Sequence, residues 1–223
     1  MIKKYTFLAT SIVSILIGYL LLDSDSSKPN FPKNSLPVLH ITSFSNNPDL
    51  ANPIVRIVSE NQSTFCSGAV ISAQYVVTAA HCVTTYNKLG VGATTTVQSA
   101  GKDTSASAQV VALDEYADVA LLLGNFTSFN FFSVDITPQR MLTAFPQVSC
   151  GYPRGGDFFC TPIFNPRPYR FQVAALSVLR PGMSGGPVLN RNYQIVAINA
   201  AATSEVSLFN TLEVLETMVR IEQ

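Results

Sequence analysis

Three short runs carry side chains that together could perform acyl transfer: TAAHC (78–82), YADVALLL (116–123) and RPGMSGGPV (180–188). A serine hydroxyl is a poor nucleophile until a base takes its proton. An imidazole serves as that base only when its tautomer is fixed, which a carboxylate can do. His81, Asp118 and Ser184 supply those three groups. His81 is one of only two histidines in the chain and sits directly before Cys82. Asp118 heads an apolar run, where an unpartnered carboxylate would be costly. Ser184 stands among Gly182, Gly185 and Gly186, at a sharp turn before a strand. Acyl transfer also needs backbone N–H groups that converge on the oxyanion as it forms. Gly182 lets the chain turn so that its N–H and that of Ser184 can aim at one point. Gly185 and Gly186 let an opposing chain approach without a Cβ clash.

These residues need a scaffold, and the sequence reads as β structure. From Pro53 onward PIVRIVS, SGAVIS, YVVTAA, KLGVGATTTVQSA, SAQVVALD and DVALLLG are short β-branched segments separated by turn residues. FPQVSCGY, RFQVAALSV, GGPVLN and QIVAINAAAT form a second series. Between them FTSFNFFSVDITPQRM is aromatic-rich and less regular, a crossover whose phenylalanines are expected to fill its underside. Many short strands at this spacing suggest barrels or a sandwich. Two of the three reactive residues fall in the first module and one in the second, so the site is expected in the cleft between them. Only SLFNTLEVLETMVRIEQ reads as helical, with Asn210 as cap, Glu213 at the capping-box position, and Leu212, Leu215, Met218 and Val219 on one face. A helix over about 211–221, packed on the second module, is expected.

Composition narrows the class. Apolar residues make up 47% of 223, enough for a filled core and too many for wholesale disorder. Lys+Arg and Asp+Glu balance at 14 each, so no overall field would draw the chain to nucleic acid. At the N-terminus Lys3 and Lys4 precede the uncharged stretch Tyr5–Leu22. At ~1.5 Å per residue this helix would span about 27 Å, just enough for a bilayer core. Its length favours an uncleaved signal-anchor over residues 1–22 rather than a removed signal, and the weak Ser24-Asp25-Ser26 offers a poor cleavage site. Under either expectation the rest is exported. Residues 23–52, rich in Ser, Asn and Pro, read as a flexible linker to a domain over 53–223. The cysteines, Cys66, Cys82, Cys150 and Cys160, all lie in the exported part. An even set in an oxidising compartment suggests two disulfides, with three pairings open. A zinc site is disfavoured because Cys66, His81 and Cys82 lack the usual ligand spacing. No metal or organic cofactor is expected.

CSGAVIS…VVTAAHC, DVALLL and GMSGGPV, in that order, resemble the histidine, aspartate and nucleophile blocks of the chymotrypsin-like (trypsin-fold) serine proteases, over roughly Pro53 to Val219. VSCGYPRGG resembles a turn of the family's bacterial branch. The resemblance implies two six-stranded antiparallel β-barrels with the site between them. Barrel one would cover about 53–130 and barrel two about 144–208, with the helix behind. It implies His81 as general base, Asp118 as its orienting partner, Ser184 as nucleophile, and the N–H groups of Gly182 and Ser184 as oxyanion donors. It implies a Cys66–Cys82 bridge that clamps the His81 loop. Cys150–Cys160 then remains, as the staple of a hairpin. Met183 replaces the aspartate that animal relatives pair with a new N-terminus, so that maturation switch is not expected. Val178 corresponds to the floor of the primary pocket. Ala200, Ala201 and Ala202 correspond to the strand on which substrate pairs. A neutral, small or apolar residue before the scissile bond is therefore expected. The implied activity is extracytoplasmic serine endopeptidase acting on protein or peptide, with the membrane as a second partner through residues 1–22. The alternatives are a catalytically silent binding module of the same fold, or an esterase using the same triad.

Overall fold

The computed structural model describes residues 51–58, 65–85, 88–99, 104–137, 140–143 and 147–221. The expected anchor at 1–22, and the linker apart from its last two residues, lie outside them. The β-branched segments of the first half form β1 (Ile54–Val58), β2 (Phe65–Val70), β3 (Tyr75–Thr78), β4 (Thr94–Gln98), β5 (Ser105–Asp114) and β6 (Val119–Gly124). The second half forms β7 (Gln147–Gly151), β8 (Phe159–Tyr169), β9 (Gln172–Leu176), β10 (Pro187–Asn190), β11 (Ile195–Ala202) and β12 (Ser207–Asn210); β8 and β12 lie outside the expected β segments, and β12 takes up the start of the run read as helical. Each set closes into a six-stranded barrel, β1-β2-β3-β6-β5-β4 and β10-β11-β12-β9-β8-β7. All ladders between these strands are antiparallel. Numbered one to six within each half, both barrels follow the same order, 1-2-3-6-5-4. Closure leaves no long open edge to template aggregation.

Burial follows from the barrel geometry. β4 alternates, with Thr95 and Val97 inward and Thr94 and Thr96 in solvent, the period-two pattern of a strand with one wet face. β1 and β7 are buried at every position because each is covered on both faces. Leu121 and Leu122 of β6 are both fully buried, and the C-terminal helix packs against that strand.

Short helices join and cap the barrels: α1 (Ala80–Thr84), α2 (Arg140–Thr143) and α3 (Leu215–Ile221). The last departs from expectation in two ways. It starts at Leu215, not near 211, because Asn210 closes β12 and its side chain is held elsewhere. It packs with Leu212, Leu215 and Met218 into the cluster dominated by barrel one, against β6, rather than on the second module alone. In the crossover Phe126, Phe129 and Phe132 are buried, with Phe126 and Phe129 edge to face at 5.7 Å, while Phe131 is 61% exposed. The following residues run parallel to β11: Ile195 N–H donates to the Ser133 carbonyl (2.9 Å) and Asp135 N–H to the Ile195 carbonyl (2.8 Å).

Disulfides link Cys66 to Cys82 and Cys150 to Cys160. The first ties β2 to α1. The second bridges directly opposed residues of β7 and β8. Replacing both Cys66 and Cys82 by alanine should reduce stability by about 3 kcal/mol, the loop-closure entropy of a ring of this size. Urea unfolding of the variant and wild type measures the difference; equal midpoints would contradict it.

Candidate active site

His81 lies in the single turn of α1, whose first N–H groups have no partner within the helix. No capping side chain comes from Ala79. Asp118, just ahead of the neighbouring strand β6, fills that role: its Oδ1 accepts from the His81 backbone N–H at 2.9 Å. The same carboxylate receives the imidazole, with His81 Nδ1 at 3.0 Å from Oδ1 and 2.9 Å from Oδ2. An ionised carboxylate only accepts, so Nδ1 carries the proton and the lone pair is left on Nε2. One side chain thus fixes the position, the ring orientation and the tautomer of the imidazole. Asp118 can do this because its backbone is in the left-handed region (φ 52°), which aspartate tolerates better than most residues. Asp114 supports the bend by accepting from the N–H groups of Tyr116 and Ala117 at 2.9 and 2.8 Å. Asn210 Nδ2 completes the shell, donating to the Asp118 carbonyl and to Oδ2, both at 3.0 Å. Sequence inspection assigned Asn210 to a helix cap and missed this contact. Asn210 comes from barrel two, so the carboxylate is held from both halves.

Ser184 faces the same space. A cleft of about 480 Å³ is lined by His81, Asp118 and Ser184, together with Ala200, Ala201, Ala202, Leu179 and Arg180. Ser184 Oγ donates to the Ala200 carbonyl at 3.3 Å. The Cys82 sulfur lies 3.8 Å from His81 Nε2, so the first disulfide backs the imidazole. Cys66, His81 and Cys82 are close enough to resemble a metal cluster, but both sulfurs are consumed in that bridge, and thiolates are what bind metal.

The turn before Ser184 is stitched to barrel one. Ser67, fully buried on β2, uses every polar group it has. Its N–H donates to the Ser184 carbonyl (2.8 Å) and its hydroxyl to the Gly182 carbonyl (2.8 Å). The hydroxyl also accepts from Tyr152 N–H (2.9 Å), and its carbonyl accepts from the Thr78 hydroxyl (2.7 Å). Gly185 is obligatory here, since at φ 78° a Cβ would overlap Thr78 Oγ1 and the Ser67 carbonyl.

The direction of the Gly182 N–H follows from the peptide before it. Carbonyl and N–H of a trans peptide point opposite ways. The Pro181 carbonyl is taken by Arg154 N–H at 2.7 Å, which turns the Gly182 N–H away from that contact. Gly182 has φ 96°, and a Cβ there would meet Arg154 N at 2.5 Å. Among the described residues neither Gly182 N–H nor Ser184 N–H donates to a protein acceptor.

Arg154 belongs to the turn Pro153–Gly155 after β7, and this turn is fixed in its own right. Tyr152 is fully buried, and its hydroxyl lies 3.1 Å from the Ala51 carbonyl and 2.9 Å from that of Ile54. Burial pushes that hydroxyl's ionisation well up, against a smaller opposing pull from Arg56, so it stays a donor. The Arg56 guanidinium lies 4.3 Å from the Tyr152 ring and donates to the Gly156 carbonyl at 2.6 Å. The only cue in the sequence was the CGYPRGG run itself.

Val178 is 55% exposed and is not among the residues lining the cleft, whereas the adjacent Leu179, packed against the core of barrel two, is. Arg180 is at the rim, its guanidinium 4.4 Å from the Phe159 ring.

The family described as trypsin-like peptidase domain matches residues 66–198. No curated protein matches the chain. Among solved structures, the Rv3671c protease of M. tuberculosis in its inactive form is similar at TM-score 0.64 and 26% identity, covering 86% of this chain and 100% of that one. Its active form gives TM-score 0.60 at 24% identity, covering 86% and 93%. The serine endoprotease of Yersinia pestis gives 0.65 at 17% identity, covering 85% and 70%, a likeness of fold.

Proposed function

The chain belongs to the trypsin-like peptidase family and is a serine endopeptidase, and from that premise we propose that His81, Asp118 and Ser184 hydrolyse peptide bonds through an acyl-enzyme. The observation that carries this is the convergence of the three on one cleft, with Asp118 bonded to His81 Nδ1. In the first half-reaction Ser184 Oγ gives its proton to His81 Nε2 and bonds to the scissile carbonyl carbon. The carbonyl oxygen becomes an oxyanion, met by the N–H groups of Gly182 and Ser184. The imidazolium, stabilised by Asp118, passes the proton to the departing amine as the C–N bond breaks. Water then repeats the sequence on the ester, and His81 returns the proton to Ser184.

A fluorophosphonate is the direct test, because it reacts only with an activated serine. Wild type should be labelled and Ser184→Ala should not. An unlabelled wild type would favour the silent binding module. Ester cleavage without peptide cleavage would favour the esterase.

Leu179, Pro181, Leu208 and Ala200–Ala202 give the cleft an apolar lining, which supports a neutral, small or apolar residue before the scissile bond. Cleavage-site profiling on a peptide library should return such residues. A strong preference for Lys, Arg or Glu there would overturn this.

The two disulfides support an oxidising, extracytoplasmic location. Residues 1–22 would hold the domain at the membrane, with protein or peptide as substrate.

A further inference from the structure

Asn199 is a polar side chain in the apolar strand β11, IVAINAAA, and is fully buried. A carboxamide so placed is unfavourable unless all its groups are bonded. They are. Ser149 Oγ donates to Asn199 Oδ1 at 2.6 Å, and Nδ2 donates to the carbonyls of Cys150 (2.9 Å) and Met183 (3.0 Å). Exchanging the two ends of the amide would set Oδ1 against two carbonyl oxygens, so only one orientation satisfies its surroundings. The backbone is engaged as well: Gly185 N–H donates to the Asn199 carbonyl and Asn199 N–H to the Gly186 carbonyl, both at 2.8 Å.

The Met183 carbonyl shares a planar peptide with the Ser184 N–H. Holding one sets the direction of the other. Asn199 Nδ2, with Gly186 N–H at 3.0 Å, holds that carbonyl against β11, and the Ser184 N–H is thereby aimed the opposite way. We propose that the Asn199 carboxamide is a positioning residue for oxyanion binding, fixing the Ser184 N–H by tying the Met183 carbonyl to β11, with the same amide braced on the Cys150 carbonyl of β7. This rests on the reading of Ser184 as nucleophile. The Met183 side chain is an apolar thioether, fully buried, and cannot anchor the turn by charge. A neutral amide anchors it through its carbonyl instead, with Ser149 keeping that amide in register.

Asn199→Asp replaces the donor by an oxygen of nearly the same size. The turnover number of the full-chain variant should fall by about 10²–10³, the loss associated with one oxyanion donor, while KM moves by less than about threefold. Affinity for a peptide aldehyde, whose hemiacetal oxygen occupies the oxyanion position, should fall in parallel with kcat. Binding of a cleaved-product peptide should not change. Ser149→Ala is the milder second variant, expected to lower kcat about tenfold by freeing the amide to turn. Wild-type kcat and aldehyde affinity in either variant, once folded by near-UV circular dichroism, would overturn the proposal. So would lowered thermal stability with kcat per folded molecule unchanged, since the role would then be structural only. Failure of the nucleophile reading looks different: the wild type itself would neither cleave peptide nor take the Ser184-directed label.

Discussion

Ser184→Ala is expected to lower turnover by roughly 10⁴–10⁶, and His81→Ala by a similar factor, because each step of the proposed cycle needs both groups at once. The double variant should be little worse than either single one, since a nucleophile without its base and a base without its nucleophile fail at the same point. Neither change should disturb the fold. The turn around Ser184 is held by its backbone, through Ser67, and the serine hydroxyl contributes only a 3.3 Å contact to the Ala200 carbonyl. Steady-state cleavage of a peptide found by library profiling measures the loss. A Ser184→Ala enzyme within about tenfold of wild type would remove the covalent mechanism.

Asp118→Asn should cost about 10⁴ in kcat, the scale of losing the correct imidazole tautomer in a serine–histidine–aspartate site. Asparagine tolerates the φ of 52° at this position, so the bend survives. Its amide oxygen can still accept from the His81 backbone N–H. Its NH₂ group would then face His81 Nδ1, 2.9 Å from the replaced oxygen, and also the donor of Asn210. The imidazole answers by accepting at Nδ1 and carrying its proton on Nε2, where it can no longer take one from Ser184. Imidazole N–H signals in proton NMR would report the exchange of tautomer. A variant with unchanged kcat would show that Asp118 does not set the tautomer.

Much of the candidate site was legible because its residues are flagged by their immediate neighbours. His81 precedes a cysteine, Asp118 heads an apolar strand and Ser184 lies among glycines, and each pattern has a local physical reason. Ten of the twelve strands were legible as β-branched runs, but β8, β12 and the shared order of the two barrels were not. That order lives in pairings between distant segments, and the two halves have no common sequence pattern. Asn210 illustrates the commonest error: as a local signal it caps a helix, but in the fold it ends β12 and holds Asp118 from the other barrel. Asn199 left a weak trace, a lone amide in an apolar strand, and only the tertiary structure gives it three polar partners. The resemblance pointed to Val178 for the pocket floor, and the residue the fold brings to the cleft wall is its neighbour Leu179, a difference of one position that a strandless stretch of sequence does not mark.

The chain just ahead of β1 is gripped by the body of the enzyme. Tyr152 lies against the carbonyls of Ala51 and Ile54, Asn52 accepts from Asn130 N–H at 2.7 Å, and the Pro53 carbonyl accepts from Val70 N–H at 2.8 Å. Severing the backbone before Ile54 would release an ammonium into a neighbourhood already occupied, with a methionine where an acidic counterpart would be needed. That maturation switch is therefore not expected here, and the domain is expected to be active once folded or to be controlled in another way.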